Sequence, residues 1–344
     1  MSGRLKAWFF LFRPWSYTAT AVPFLFALAW CVSGGGRHAG FACDFVRWGA
    51  GFAAGLLFQA TVNLLNTWGD ERSGVDAVPG AIRTTPQVHD GLVSMRALLA
   101  AALGCAFAAS ALGTALCFFR IGGAWHVNGP LLALGFVGFL GATNYSTGVR
   151  FKYRGLGVPF VALLMGPVET AVALALLFPK GALAWTCWPL RMQLASAGIF
   201  LLLTFPIAAL VCVIMHGNDM RDVPTDRAAG IKTLASMLGP RGALRFYAFC
   251  HYAAYAAPAL LAWTVASFML RSAYPEWKFA ALACAPFCVL PISAKSVRRA
   301  RDAFLENSRC PPWRGFERES GKIHLLFGMC YAVAWAATRA ALSR

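Results

Sequence analysis

Residues 192–235 read MQLASAGIFLLLTFPIAALVCVIMHGNDMRDVPTDRAAGIKTLA. The stretch Met192–Met215 carries no charged side chain, and at about 1.5 Å per helical residue it is long enough to cross a hydrocarbon core of roughly 30 Å. It reads as a membrane span. The apolar run then gives way to a segment with three Asp residues, in which Asn218, Asp222 and Asp226 recur at i, i+4 and i+8 and share one face of a continued helix. Pro224 inside that pattern is expected to kink or interrupt the helix.

The rest of the chain repeats the theme of this segment. Of its 344 residues, 58% are apolar and 13% charged, against about 25% charged in a soluble domain. Apolar windows give nine candidate spans, at 15–33, 45–66, 93–118, 128–148, 155–178, 192–215, 243–268, 277–294 and 324–341. The expected fold is therefore all-α and polytopic: nine transmembrane helices in a single domain covering 1–344. Pro23, Pro167, Pro206, Pro258, Pro286 and Pro291 fall within spans, where neighbouring helices satisfy freed backbone groups. The start, MSGRLKAWFFLFRPW, is basic and then apolar without a convincing small-residue cleavage site, so it reads as a retained first span rather than a signal peptide.

A net charge of +17 raises the question of nucleic acid, but no extended soluble basic domain exists to hold such a footprint. Membrane topology accounts for the charge instead. With the N-terminus cytoplasmic, 22 of the 31 Lys and Arg fall on the cytoplasmic side and nine on the other, the asymmetry expected of positive-inside loops. The eleven cysteines are scattered, without the spacing of a zinc site, and read as buried small hydrophobes.

Seven of the fourteen acids cluster in two regions that this topology places on the cytoplasmic side: Asp70, Glu71, Asp76 and Asp90, and Asp219, Asp222 and Asp226. In NLLNTWGDERSGVD (63–76), Asn63, Asn66 and Asp70 are three and four residues apart and share a face at the end of span two. Gly74 is expected to end that helix and fold Asp76 back. Two facing sets of carboxylates and amides offer hard oxygen ligands for Mg²⁺. The interleaved Arg72, Arg83, Lys152, Arg154, Arg221, Arg227 and Lys232 would surround a diphosphate and neutralise charge developing on a departing pyrophosphate.

The two acidic motifs resemble those of the UbiA superfamily of intramembrane prenyltransferases, with the closer likeness to its MenA branch and the eukaryotic menaquinone-synthesising relative. RPWSYTATAVPF (13–24) and YSTGVRFKYRGLG (145–157) are similar to that branch as well, so the resemblance runs from Arg13 to Leu238. It implies a helical bundle around a lipid-open cavity in which Mg²⁺ holds an isoprenyl diphosphate, in a bacterial inner membrane with the site facing the cytoplasm. It further implies transfer of the prenyl group to a hydroxylated aromatic acceptor, above all 1,4-dihydroxy-2-naphthoate, with homogentisate and 4-hydroxybenzoate as alternatives. Carried over by position, Asn66, Asp70 and Asp76 would serve one metal cluster and Asn218, Asp222 and Asp226 the other. Asp70, Asp76, Asp222, Asp226 and Lys232 are then the catalytic candidates. Asn63, Asn66, Tyr145, Lys152, Arg154, Asn218, Arg221 and Glu169 are the candidates for substrate contact. Thr67 stands where many members have the Asp of an NDxxD motif, and Val158 where the branch often has an acid.

Glu169 lies fourteen residues into its span, roughly 21 Å along the helix, where a carboxylate is costly and by default functional. Orienting an acceptor hydroxyl and protonated packing are the two roles open to it. It also supports a rival class, an ion-coupled carrier built from Gly- and Pro-broken spans. That class has no account of carboxylates gathered at helix ends.

Overall fold

The computed structural model describes residues 3–34, 43–74, 88, 90–180, 189–272, 276–305 and 315–342. The chain enters through α1 (Gly3–Phe12), turns at Arg13 (φ 50°) into a 3₁₀ turn at Pro14–Tyr17, and continues as α2 (Thr18–Val32). There follow α3 (Phe45–Ser73), α4 (Met95–Leu116), α5 (Gly129–Asn144), α6 (Gly157–Leu163), α7 (Glu169–Leu177) and α8 (Leu190–Ala228). The last third holds α9 (Leu234–Ala253), α10 (Ala256–Arg271), α11 (Lys278–Ala283), α12 (Leu290–Leu305) and α13 (Phe316–Leu342).

Among the described residues, seven helical segments are long and apolar enough to cross a membrane. The two other expected spans are helical but fall short. α5 has 16 residues, about 24 Å of rise against a roughly 30 Å core. The 277–294 stretch is broken by a 3₁₀ turn at Ala285–Val289, after which α12 carries Lys295, Arg298, Arg299 and Arg301. Large apolar side chains such as Phe107, Phe249, Trp263 and Leu270 are exposed on the outside, as a lipid-facing surface requires and a water-facing one does not.

Three expectations are corrected here. First, the fold is not purely helical: Phe118–Ile121 and Ala124–Val127 pair antiparallel as a hairpin between α4 and α5. Its two-residue turn is Gly122-Gly123, both at positive φ, the conformation that matches strand twist. Second, α8 runs unbroken through Pro206 and Pro224 to Ala228. Pro224 lies one turn from the helix end and forfeits one backbone bond there, a loss that neighbouring helices offset. Third, Cys31 and Cys43 are joined in a disulfide that ties the end of α2 to the start of α3, so not all cysteines are plain small hydrophobes. The expected stop at Gly74 is present, with Gly74 in the left-handed region (φ 76°) and its N–H on the carbonyls of Asp70 and Glu71.

The largest apolar cluster forms where α13 packs against α2, α8 and α9, with Phe26 stacked on Tyr331 at 5.1 Å. Tyr331 donates its hydroxyl to the Leu203 carbonyl of α8 at 2.8 Å, fixing that helix in depth. On its other side α8 meets the π-helical turn Leu164–Val168 that joins α6 to α7. A Cβ at Gly166 would stand 2.7 Å from Ala208 Cβ and 3.0 Å from Ala208 Cα, atoms that cannot rotate away. Gly166→Ala is therefore expected to destabilise the bundle by about 1–3 kcal/mol, read as a lower melting temperature in detergent. An unchanged melting temperature would show that these helices are free to part.

Candidate active site

One face of α3, from Gly51 and Gly55 through Gln59, Val62 and Asn66 to Asp70, lines a cavity of 570 Å³. These positions recur every three or four residues, so a single helix face delivers them all. α8 supplies Val211, Ile214 and Met215 to the apolar part and Asn218, Asp219, Asp222 and Asp226 to the polar end. The remaining walls are largely apolar side chains from α4, α5 and α6.

At the polar end the two acidic motifs meet around Lys152. Its Nζ donates to Asp70 Oδ1 and Oδ2 at 2.7 and 2.9 Å and to Asn66 Oδ1 at 3.2 Å. It also lies within electrostatic reach of Asp219 and Asp226 from the other motif. The Tyr153 hydroxyl donates to Asp70 at 2.8 Å. Burial opposes the charge on Lys152 most strongly, but Asp70, Tyr153 and Tyr145 together outweigh it and hold the ammonium above the ordinary lysine range. Tyr145, buried and lining the cavity, has its phenol pushed up by burial. Across the site Arg221 donates through Nε and Nη2 to the two Asp222 oxygens, each at 2.7 Å, and through Nη1 to Glu317 at 3.5 Å.

The sequence candidates thus divide. Asn63, Asn66, Asp70, Tyr145, Lys152, Glu169, Asn218, Arg221, Asp222 and Asp226 all line the one cavity. Asn63, however, gives its amide N–H groups to the Phe12 carbonyl and Ser16 hydroxyl at 2.8 and 2.9 Å, which makes it first a clamp between α1 and α3. Arg154 and Lys232 are not brought to it: both side chains are exposed and outside the cavity lining. Gly230 does turn the chain (φ 71°), yet the turn pairs the backbone of Lys232 with that of Arg154 and leaves the ammonium outside. Glu169 lies far from the acids: residue 55, against which it packs, is fifteen residues from Asp70 on α3, roughly 22 Å. Asp76 and Arg83 lie outside the described residues.

Several site residues carried no assignment from sequence. Asp219 shares the α8 face through i, i+3 and i+7 spacing with Asp222 and Asp226, a signal that was present. Tyr153, beside Lys152, was signalled only by its neighbour. Arg13, at the turn after α1, and Glu317 of α13 line the polar end from far along the chain, and neither carried a local sign of that role. Arg13 Nη2 donates to Thr67 Oγ1 at 3.1 Å, so the side chain standing in place of a motif Asp faces a guanidinium.

Among the described residues, no three acidic, His or Cys side chains already converge on a metal position. The donor set nevertheless fits Mg²⁺, which needs only one or two protein carboxylates beside phosphate oxygens. Five carboxylates (Asp70, Asp219, Asp222, Asp226, Glu317) against three cations (Arg13, Lys152, Arg221) line the polar end. A diphosphate could not settle there without added positive charge. Asn218 Oδ1, buried and without a hydrogen-bond partner, is a further oxygen free to ligate.

Known proteins bear on this arrangement. The chain is 26% identical over 344 residues to "UbiA prenyltransferase domain-containing protein 1 homolog" of Drosophila melanogaster, covering 96% of this chain and 79% of that protein. It is 29% identical over 238 residues to "UbiA prenyltransferase domain-containing protein 1" of Xenopus tropicalis, covering 68% of this chain but only 60% of the relative. Both relatives are animal proteins, so the bacterial inner-membrane setting gains no support from them. The apo structure of a UbiA homolog from Aeropyrum pernix K1 superposes with a TM-score of 0.51 at 18% identity, covering 93% of this chain and 96% of that one, a likeness of fold. The profile of the UbiA prenyltransferase family matches residues 20–307, a span that includes both acidic helix ends and the Lys152 loop between them, and the chain belongs to that family as a multi-pass membrane prenyltransferase.

Proposed function

We propose that the protein transfers a polyprenyl group from an isoprenyl diphosphate to a hydroxylated aromatic acid, with 1,4-dihydroxy-2-naphthoate as the preferred acceptor and homogentisate or 4-hydroxybenzoate as alternatives. The observation that carries this reading is the cavity itself: apolar along most of its length and closed at one end by two acidic helix ends flanking Lys152. An amphiphile with a diphosphate head and an isoprenoid tail matches that division. The preference for the naphthoate rests on the likeness of RPWSYTATAVPF and YSTGVRFKYRGLG to the MenA branch.

In this reading Asn66, Asp70, Asn218, Asp222 and Asp226, together with Asp76, hold Mg²⁺. When bound, the metal neutralises the diphosphate and stabilises the departing pyrophosphate. Lys152 and Arg221 hold the phosphate oxygens from opposite sides, and the apolar walls keep water from the allylic carbon while the acceptor ring attacks. The bundle crosses the membrane nine times with the N-terminus and the polar end cytoplasmic, α5 and the α11–α12 segment making the two short crossings. The carrier alternative yields to the family match, which accounts for the carboxylates at helix ends.

Transfer is expected to stop in EDTA and to return with Mg²⁺ or Mn²⁺. The check is incubation of purified protein with a polyprenyl diphosphate and a panel of aromatic acids, followed by mass analysis. Undiminished turnover in chelator would overturn the metal assignment, and failure with every acceptor would overturn the reaction.

A further inference from the structure

Deep in the cavity lies one carboxyl that the proposed chemistry leaves unused. Glu169 opens α7 directly after the π-helical turn and lines the cavity, and its Oε2 is buried with no hydrogen-bond partner. The hydroxyl of Thr20, a fully buried residue of α2, lies within hydrogen-bonding reach of that carboxyl. α3 comes this near because residue 55 is Gly: a Cβ there would stand 2.9 Å from Thr20 Cγ2 and 3.3 Å from Glu169 Oε1. A carboxyl set among apolar walls is costly to cover with hydrocarbon.

The position of the pair fixes what it meets. Gly55 precedes Asn66 by eleven residues and Asp70 by fifteen on the same helix, so Glu169 lies roughly 16 to 22 Å from the polar end. Isoprenoid tail, not acceptor ring, reaches that depth. Four carbon–carbon bonds of about 1.5 Å advance an extended isoprene unit by roughly 5 Å, so about three to four units separate the head from Glu169. The cavity does not end there, since Val172, Leu176, Leu116 and Leu131 continue its lining. Glu169 is thus a polar step within an apolar lane that goes on past it.

We propose that Glu169, together with Thr20, sets the upper length of the isoprenoid tail that the cavity accepts. A tail that stops short of the pair leaves the carboxyl uncovered, whereas a longer one must lay hydrocarbon against it to reach the apolar space beyond. The proposal rests on the prenyl-transfer reading above and names a specificity determinant for it.

The test compares wild type with Glu169→Leu and Glu169→Gln on geranyl, farnesyl, geranylgeranyl and hexaprenyl diphosphates, with Mg²⁺ and one aromatic acid. In wild type, kcat/KM is expected to fall about tenfold or more between the geranylgeranyl and hexaprenyl substrates. Glu169→Leu should shrink that gap to within about threefold, while Glu169→Gln, whose amide also needs a polar partner, should keep it. Equal gaps in wild type and Glu169→Leu would overturn the proposal, as would a wild type that accepts all four alike. Should Glu169→Leu fail to purify, Glu169→Met carries the same comparison. Tryptophan-fluorescence titration with the four diphosphates reads length discrimination without turnover. Discrimination there with no transfer to any acceptor would sink the reaction assignment while upholding the role of Glu169.

Discussion

Asp222→Ala is expected to cut turnover by roughly 10²–10³-fold, the scale on which a single preorganised charge-stabilising group counts in a water-excluded site. Asp222 lies on the α8 face that lines the polar end, where its carboxylate both offers oxygen to a metal and balances Arg221 through two 2.7 Å contacts. The Arg221 side chain is only 6% exposed. Removing Asp222 leaves that guanidinium to Glu317 at 3.5 Å, so some loss of stability accompanies the loss of rate. Asp222→Asn separates the two, because the amide keeps the size and one oxygen. It should melt closer to wild type than Asp222→Ala while remaining far slower, and it should need more Mg²⁺ for half-maximal activity. A folded Asp222→Ala protein that turns over within about threefold of wild type would show that this end of α8 is a solvated charge cluster.

The second large effect is expected at Lys152. Lys152→Met removes the cation that joins Asn66 and Asp70, and with it a charge-assisted contact to the phosphates. Hydrogen bonds to charged groups contribute about 1.5–3 kcal/mol, so KM for the diphosphate should rise about ten- to a hundredfold. The Asp70 carboxylate would keep the Tyr153 hydroxyl but lose its close cation, and the melting temperature should drop. Lys232→Met provides the comparison, because that side chain is exposed and outside the cavity, and KM for both substrates should stay near wild type. Steady-state kinetics with each substrate varied in turn decides the matter. A raised KM in Lys232→Met with none in Lys152→Met would reverse the assignment and return Lys232 to the diphosphate.

These two lysines show where reading the chain by itself succeeds and where it stops. Both stand in basic, glycine-containing segments. Sequence spacing even favoured Lys232, six residues from Asp226, over Lys152, which is 82 residues from Asp70. The loop turned at Gly230 as its sequence suggested, but the direction of that turn was set by pairing with the Arg154 backbone, a contact between distant segments. Thr67 likewise is legible as a departure from a motif, whereas its partner Arg13 lies 54 residues away on another helix.

The sequence by itself determined the helices, the membrane setting and the two acidic helix ends. Apolar run length decides whether a segment can span hydrocarbon, and residue spacing decides which side chains share a helix face. Both are local properties of the chain. Tertiary structure alone decided that Lys152 enters the acidic end, that Glu317 joins it, that α8 stays helical through Pro224, that Cys31 pairs with Cys43, and that Glu169 lies far from that end. Each depends on how far one helix is slid and rotated against another. Those offsets are fixed by the packing of side chains remote in sequence, such as Gly166 on Ala208 and Tyr331 on Leu203, and no local pattern encodes them.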